Sequence, residues 1–329
     1  MTEPLVAPSR ERVVALGGGH GLAASLGALR RVVEDLTAVV TVADNGGSSG
    51  RLRRELGVLP PGDLRQALAA LCGDDDWGRT WARVLQHRFA SSGELHNHAV
   101  GNLLIVALWE LLQDDGGPAA GLEWVARLLG AQGRVLPMSE VPLDITAQVI
   151  GLDPADPQRV EEVRGQVEVA RTPGQVVGVS IDPEDAAASP AAVAAIKDAS
   201  WVVLGPGSWF TSVIPHLLVR DLGQALRTTP ARRLLTLNLA PQPGETEGFS
   251  PDNHLEVLAA HAPDFEVDVV LADSRSVSDV RGLRSTAHHL GAELVVADVC
   301  VDDGSPRHDA ERLAAAYASI FESTARPRD

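Results

Sequence analysis

The residues of this chain that could do chemistry lie mainly in three loops, each of which follows an apolar run. The second loop is the richest, because "TVADNGGSSGRLRR" at residues 41–54 combines an acid, an amide, glycines, serines and arginines. Backbone N–H groups in such a loop can form a nest around a phosphate, with the hydroxyls as further donors. The candidate ligand contacts in this loop are Asp44, Asn45, Gly46, Gly47, Ser48, Ser49 and Arg51. For any single arginine, a solvated helix face is the more frequent role.

Asp44 has two further possible roles. It stands about two dozen residues beyond the first glycine loop, where a Rossmann protein places the acid that binds a ribose hydroxyl. As an oxygen ligand it could instead hold Mg²⁺. It is also the one candidate for a catalytic residue.

The first loop is "LGGGHGL", residues 16–22, between an apolar run and a helical pattern. Its candidate contacts are Gly18, Gly19, His20 and Gly21, because glycines at a helix start let backbone N–H groups approach a phosphate. The loop fails the dinucleotide fingerprint, since residue 22 is leucine, and no Gly-Lys-Ser/Thr follows for a Walker A loop. A tight turn with positive φ is the alternative.

The third loop is "LGPGSWFTS", residues 204–212, with Gly205, Gly207, Ser208 and Thr211 as candidate contacts. Ser208 or Thr211 could instead cap the next helix. The adjacent aromatics that follow are predicted to be exposed and could wall a base or sugar, or could pack in the core. A companion loop at residues 238–250 adds Asn238 and Gln242, together with Glu245 and Thr246.

Two more segments supply candidates. Asp63 is predicted to N-cap the helix "LRQALAAL", and both Asp63 and Arg65 are included as ligand contacts. "GELHNHAVGNLL", residues 93–104, holds His96 and His98 at a spacing that does not match a helical zinc motif. We favour the start of an apolar helix, capped by residue 97 or 98, with Asn102 or a histidine facing the pocket.

The elements that must position these loops follow an α/β pattern. Strands are predicted at 12–16 and 37–43, with a helix at 21–36 between them, and again at 201–205, 233–239, 267–272 and 292–299. Continuous apolar runs favour a parallel sheet that is covered on both faces. We predict one Rossmann-like, doubly wound domain over residues 1–329, with a helical segment at 63–130. An antiparallel β insertion on the main sheet is predicted at 134–182, and a last helix at 309–323.

The composition excludes several classes of function. The chain has 329 residues, with 28 Lys+Arg against 44 Asp+Glu, a net charge of −16. We therefore expect neither a nucleic-acid nor a membrane partner, and an anion must be held by local donors. The two cysteines predict neither a disulfide framework nor a zinc site. Residues 1–12 predict a short disordered segment without the apolar core of a signal peptide, which favours the cytoplasm.

The motifs "VVALGGGHGL", "VTVADNGGSSGRLRRELGVLPPGDLRQAL", "HAVGNLL", "RVLP", "VVLGPGSWFTSVIPHLLV" and "NLAPQPGETEGFS" occur in that order. Together they closely resemble the gluconeogenesis factor family (YvcK-like, also called GlmR-like), a branch of the 2-phospho-L-lactate transferase (CofD-like) group. The resemblance implies a Rossmann-like core and a cytoplasmic bacterial protein that binds UDP-sugars such as UDP-N-acetylglucosamine. It also implies a role in cell shape and wall synthesis on gluconeogenic carbon sources.

Two positions depart from the family motifs. His20 replaces the usual threonine of GGGTGL, and Asn45 replaces the second aspartate of ADDGGSSGRLR. Because an amide is a weak Mg²⁺ ligand and cannot act as a base, Asn45 argues against transfer chemistry that needs both acids. We expect a homo-oligomer, most simply a dimer, that regulates a protein of cell-wall precursor synthesis.

Four functions remain open from the sequence. The preferred one is a nucleotide-sugar-binding regulator, because the loops bring no recognisable nucleophile. A Mg²⁺-dependent transferase of phosphorus-containing groups would use the same loops. An NAD-dependent enzyme is favoured by the position of Asp44 but not by the failed fingerprint. An oligomeric scaffold with a vestigial pocket is the fourth.

Overall fold

The computed structural model describes residues 9–112, 116–242 and 245–324. Ten strands are described, in chain order: β1 Ser9–Gly17, β2 Val33–Val40, β3 Arg134–Pro137, β4 Asp144–Ile150, β5 Glu161–Arg164, β6 Gln175–Asp182, β7 Trp201–Leu204, β8 Arg232–Thr236, β9 Val269–Asp273 and β10 Glu293–Ala297. Seven of them form one parallel sheet in the order β10-β9-β8-β7-β1-β2-β3, which confirms the α/β fold class.

Thirteen α-helices are described: α1 Gly19–Leu29, α2 Gly47–Leu56, α3 Gly62–Ala70, α4 Asp76–Gln86, α5 Val100–Leu111, α6 Gly117–Leu129, α7 Gln166–Val169, α8 Pro190–Asp198, α9 Pro215–Leu218, α10 Arg220–Thr228, α11 Pro251–His261, α12 Val280–His289 and α13 Ala310–Thr324. A π-helical turn, Trp209–Val213, precedes α9. In the described part of the chain, none of these helices is long and apolar enough to cross a membrane.

The centre of the sheet is buried on both faces. In β1, the run from Val13 to Leu16 is at most 3% exposed, and all four residues of β7 are buried as well. Such strands read as continuous apolar runs because helices cover both faces of a parallel sheet. One of these helices is α13, which packs on α1, with the hydroxyl of Tyr317 2.9 Å from Ser25 Oγ and 3.1 Å from Thr236 Oγ1.

The chain changes direction at the middle of this sheet. From β1 it proceeds outward through β2 and β3 to one edge, and from β7 it proceeds through β8 and β9 to the other. The neighbours β1 and β7 therefore flank a topological switch point. In open α/β sheets, loops leaving such neighbours separate and leave a crevice outside the carboxyl ends of the strands, where ligands bind.

The β insertion predicted on the main sheet at 134–182 differs from the prediction in two respects. Its first strand, β3, is not antiparallel but forms the parallel edge of the main sheet, with Thr37 paired to Arg134. Only β4, β5 and β6 are antiparallel, and they form a separate three-stranded sheet in the order β5-β4-β6. The run "RVLP" is buried after its first residue, as a strand covered on both faces must be.

Several predicted boundaries were wrong, among them the following three. The helix predicted at 21–36 ends at Leu29, because Val33 already pairs with Ser9 in the sheet. Residues 9–12 belong to β1 rather than to a disordered segment, and residues 1–8 lie outside the described residues. Asp63 is not an N-cap, because α3 begins at Gly62 with no side-chain cap.

Candidate functional site

A hollow of about 790 Å³ lies at the switch point between β1 and β7. Its volume is in the range that small-molecule sites occupy. The loops that follow β1, β7, β8 and β10 line it, together with α7 and the start of α3. Half of the candidate contacts from the sequence lie in its wall: Gly18, Gly19, His20, Gly21, Asp63, Gly207, Ser208, Thr211, Asn238 and Gln242.

The start of α1 opens into this hollow. The first bond of the helix runs from the N–H of Leu22 to the carbonyl of Gly18 over 3.2 Å, so the amides of His20 and Gly21 precede the helical hydrogen-bond ladder. The first turn contains no acidic residue and no side chain caps it. A helix start with free amides favours an anion, and here it faces the cavity.

The first and third loops touch at Gly21. A Cβ added there would overlap the carbonyl group of Pro206 and the Cα of Gly207. The glycine is therefore required for close approach of two backbones, at a position whose φ is not in the left-handed region. Loops 185 residues apart in sequence thus form one continuous wall.

Asp63 lies behind the first loop, in the wall of the hollow. Burial raises its pKa to about 7, and the neighbouring Asp44 carboxylate adds to the shift, while the amide of Gly19 and the Arg65 guanidinium oppose it. Its Oδ2 atom is buried and has no hydrogen-bond partner. A carboxyl group in this state can donate a proton to a ligand oxygen or, when ionised, bind a cation.

In the third loop, Asn238 holds Gly207. Its side-chain amide donates to the carbonyl of Gly207 and accepts from the N–H of Gly207, both over 2.8 Å. The amide is therefore used to position the loop, and the contact of Asn238 with a ligand stays a prediction.

The helix start after this loop is already occupied by a carboxylate. Glu245 Oε1 accepts hydrogen bonds from the N–H groups of Phe210 and Thr211 over 2.7 and 3.0 Å, and Glu245 Oε2 bonds to the hydroxyl of Ser208. Burial raises the pKa of Glu245, and these three donors oppose that shift. Neither Ser208 nor Thr211 caps the π-helical turn with its side chain. In α1 the amide of Gly19 hydrogen-bonds to Asp63, but the amides of His20 and Gly21 remain for an external anion.

The two aromatics after this loop are not exposed, so that prediction was wrong. Trp209 and Phe210 are both 0% exposed and belong to the hydrophobic core. Phe210 lies edge-on to Phe249 with ring centroids 6.2 Å apart. Of the two roles considered for the pair, core packing is the one that the structure supports.

The second loop lies outside the hollow, and its two serines bind within the protein. Ser49 Oγ accepts the N–H of Gly62 over 2.7 Å. Ser48 Oγ accepts from the side chain of Asn102 and lies 3.0 Å from His98 Nδ1. Both serines are 2% exposed. They fasten α2 to the starts of α3 and α5.

The other contacts predicted around this loop are placed as follows. Arg65 is buried and donates to Asn102 Oδ1 over 2.9 Å, and burial lowers its pKa to about 10. Arg51 donates to the carbonyls of Glu94 and His96. Asp44 accepts the N–H of Gly46 over 2.9 Å. In the described part of the chain, the wall of the hollow does not include the candidates Asp44, Asn45, Gly46, Gly47, Arg51, Arg65, Asn102 or Gly205.

Two parts of the wall have no counterpart among the candidates from the sequence. One is α7 with the next residue, which supplies Gln166, Val167 and Ala170. The other is the loop after β10, which supplies Val301 and residues 306–308. The second could have been found, because "DDGSPRHD" is a turn sequence with an arginine directly after a strand. No signal marked α7.

The loop after β10 is held by the end of β9. Asp273 Oδ2 accepts the N–H groups of Val299 and Cys300 over 2.9 and 3.1 Å. His308 then lines the hollow with a buried Nε2 atom that has no partner, and burial lowers its pKa to about 4. Gln242 Oε1 is likewise buried without a partner in this wall. A bound ligand could satisfy both atoms.

The histidine segment forms a helix entry. α5 begins at Val100 with Ala99 as N-cap and no side-chain cap, so neither residue 97 nor 98 caps it. Burial lowers the pKa of His98. Across the described ranges, no group of three or more His, Cys, Asp or Glu residues could hold a metal ion.

The chain is similar to a known protein family, to named relatives and to a solved structure. The family profile of 2-phospho-L-lactate transferase CofD matches residues 13–310. A Mycobacterium tuberculosis protein named "Putative gluconeogenesis factor" is 56% identical over 94% of this chain and 90% of its own length. The gluconeogenesis factor of Listeria monocytogenes is 33% identical over 95% of this chain and 96% of its own. A crystal structure of a UPF0052 family member from Bacillus halodurans superposes with a TM-score of 0.80 at 30% identity, covering 94% of this chain and 99% of the other.

Proposed function

The chain belongs to the CofD family, within its gluconeogenesis factor branch, and from this premise we propose that it is a regulatory protein that binds a UDP-sugar in the hollow beside β1 and β7. UDP-N-acetylglucosamine is the ligand we put first. The observation that carries the proposal is that the amides of His20 and Gly21, at the start of α1, open into a hollow of about 790 Å³ at the switch point of the sheet. That position suits the diphosphate, and the rest of the hollow has room for the sugar and the base.

Among the described lining residues, the wall offers an anionic ligand one cationic side chain, Arg307, beside the carboxyl groups of Asp63 and Glu245. The side chain of Arg307 is 69% exposed. Its guanidinium bonds to Asp303 and donates from Nε to Ser305 Oγ over 2.8 Å. These weak, solvent-exposed contacts can be exchanged for a phosphate, for which a planar guanidinium is a good partner.

The proposal extends to the cell. A regulator that reports the level of a wall precursor would act in the cytoplasm, on a protein partner of cell-wall precursor synthesis, and would influence cell shape during gluconeogenic growth. We also propose that it self-associates, most simply as a dimer. Analytical ultracentrifugation with and without ligand tests the oligomeric state.

The binding experiment is isothermal titration calorimetry of the purified protein with UDP-N-acetylglucosamine, NAD and Mg-nucleotide. We expect the UDP-sugar to bind tightest. Arg307→Gln should weaken that binding about tenfold, the usual size of a charge-assisted contact. Arg79→Gln serves as the matched control, because Arg79 is 62% exposed on α4 and lies outside the hollow. Binding of NAD alone would contradict the proposal.

One observation favours a second candidate, a Mg²⁺-dependent transferase of phosphorus-containing groups. Asp63 has an unpartnered carboxyl oxygen and is electrostatically coupled to Asp44. Two carboxylates fit Mg²⁺, which keeps several waters and takes its remaining ligands from substrate phosphates. Asp44 and Asp63 would hold the ion, which would stabilise charge on a transferred group. Turnover that is lost in Asp44→Ala, with unchanged UDP-sugar affinity, would favour this candidate over the regulator.

A further inference from the structure

One wall of the hollow is a helix too short to hold its own position. α7 has four residues, of which Gln166 and Val167 line the hollow, and it belongs to the segment that forms the small antiparallel sheet. A single helical turn is not stable without tertiary contacts. The contacts that fix α7 therefore decide where this wall stands.

Asn45 supplies two of these contacts through its side-chain amide. Asn45 Oδ1 accepts the backbone N–H of Val167 over 3.1 Å, and Asn45 Nδ2 donates to Glu168 Oε2 over 2.8 Å. The orientation of the amide is defined, because a backbone N–H can only donate and must face the oxygen. The second loop thus reaches the hollow indirectly, through α7.

Two glycines make this approach possible. A Cβ on Gly46 would lie 2.7 Å from Val167 Cγ2, and a Cβ on Gly165 would lie 2.5 Å from Asn45 Nδ2. Gly165 also has a φ of 105°, which side chains rarely adopt. The second loop and α7 are therefore in close contact at two points, Gly46 in the loop and Gly165 at the start of α7.

We infer that Asn45 and Glu168 are positioning residues, which together hold α7 in place as a wall of the ligand pocket. The chemistry requires an amide at position 45, since one atom must accept and the other must donate. An aspartate would keep the bond from Val167 but would set a second carboxylate against that of Glu168, which is exposed. The identity of the ligand in this inference rests on the proposed function.

The test moves the negative charge from position 168 to position 45 in the whole chain. Asn45→Asp should reduce the affinity for UDP-N-acetylglucosamine about tenfold, a coupling of the size that contacting polar side chains show. Glu168→Gln should cost about twofold, because a charge-assisted bond becomes a neutral one. In Asn45→Asp combined with Glu168→Gln, the aspartate accepts from both Val167 and the glutamine amide, and affinity should return to within about twofold of the parent.

Glu168→Gln alone is the control for net charge, because removing a negative charge would by itself raise the affinity for an anionic ligand rather than lower it. The double variant controls for the charge at position 45. It keeps the negative charge at position 45, so recovery of affinity cannot come from removing repulsion between that charge and an anionic ligand. Affinity in the double variant as low as in Asn45→Asp alone would overturn the inference.

Hydrogen exchange of the ligand-free protein gives a second readout, independent of the ligand. Amides of residues 165–170 should exchange faster in Asn45→Asp, because repulsion between the two carboxylates loosens α7, and should return to the parent rate in the double variant. Unchanged exchange in Asn45→Asp would overturn the inference. If the parent protein fails to bind UDP-N-acetylglucosamine, the proposed function fails, while exchange still decides whether the pair positions α7.

Discussion

Gly21 and Pro206 lie so close that the glycine has no room for a side chain, because a Cβ would overlap the carbonyl group of Pro206. This contact joins the loop after β1 to the loop after β7 at the switch point of the sheet. The free amides of α1 and the wall around Gly207 therefore share one hollow.

Gly21→Ala should separate the two loops. We expect a loss of about 2 kcal/mol in the free energy of unfolding, because a buried overlap with backbone atoms cannot be relieved by a rotamer change, and a loss of UDP-sugar binding. Gly27→Ala is the matched control, since Gly27 is in the same helix and its Cβ would meet nothing within 4 Å. It should stabilise the protein by about 0.5–1 kcal/mol. Denaturant titration and calorimetry measure both, and equal effects at the two positions would contradict the loop contact.

Asn238→Ala should release Gly207. Two hydrogen bonds of 2.8 Å are lost, at a cost of about 2 kcal/mol in unfolding free energy, and the affinity for the UDP-sugar should fall about tenfold. Asn253→Ala is the comparison, because it breaks the capping box of α11, away from the hollow. It should cost about 1 kcal/mol of stability without a change in affinity. An affinity loss in both variants would mean that the loss follows from reduced stability and not from the release of Gly207.

Asp63 should make stability depend on pH in a defined window. Its pKa is about 7 in the folded protein against an ordinary value of 3.8, so the folded state binds more protons than the unfolded chain between these values. The stability that this group contributes is complete below pH 4 and is lost as pH rises through 7. Asp63→Asn cannot ionise and should match the parent near pH 4. It should exceed the parent by up to about 4 kcal/mol above pH 7.

Denaturant titrations at several pH values test this difference. The same protonation should act on the ligand, because an ionised Asp63 in the wall repels a phosphate. Affinity for the UDP-sugar should therefore fall as pH rises through 7 in the parent, and should be flatter in Asp63→Asn. Parallel stability curves for parent and variant between pH 4 and 8 would show that Asp63 ionises normally.

Trp209→Phe should separate core packing from ligand binding. Trp209 is 0% exposed and its indole Nε1 has no hydrogen-bond partner, so the variant loses packing but no hydrogen bond. We expect a loss of about 1–2 kcal/mol in unfolding free energy and unchanged affinity for the UDP-sugar. Trp124→Phe, at a position of α6 that is 54% exposed, should change neither. A large affinity loss in Trp209→Phe would mean that this ring contacts the base or sugar after all.

The sequence alone was informative about the fold and about the loops nearest the switch point. Apolar runs such as those of β1 and β7 predicted buried parallel strands, since a strand covered on both faces has no polar side. The glycines at 18, 19 and 21 and at 207 were predicted to contact a ligand, and they do line the hollow. These are local signals, because strand ends, turns and helix starts are set by neighbouring residues.

What only the tertiary structure decided is which groups of each loop remain free. Ser48 and Ser49 were attractive phosphate donors by type, yet they bind α3 and α5, and the helix start at Phe210 is filled by Glu245. Conversely, Arg307 reaches the wall because Asp273, at the end of the neighbouring strand β9, holds the loop after β10 in place. A donor binds a ligand only if the protein leaves it unsatisfied, and that depends on partners distant in the sequence.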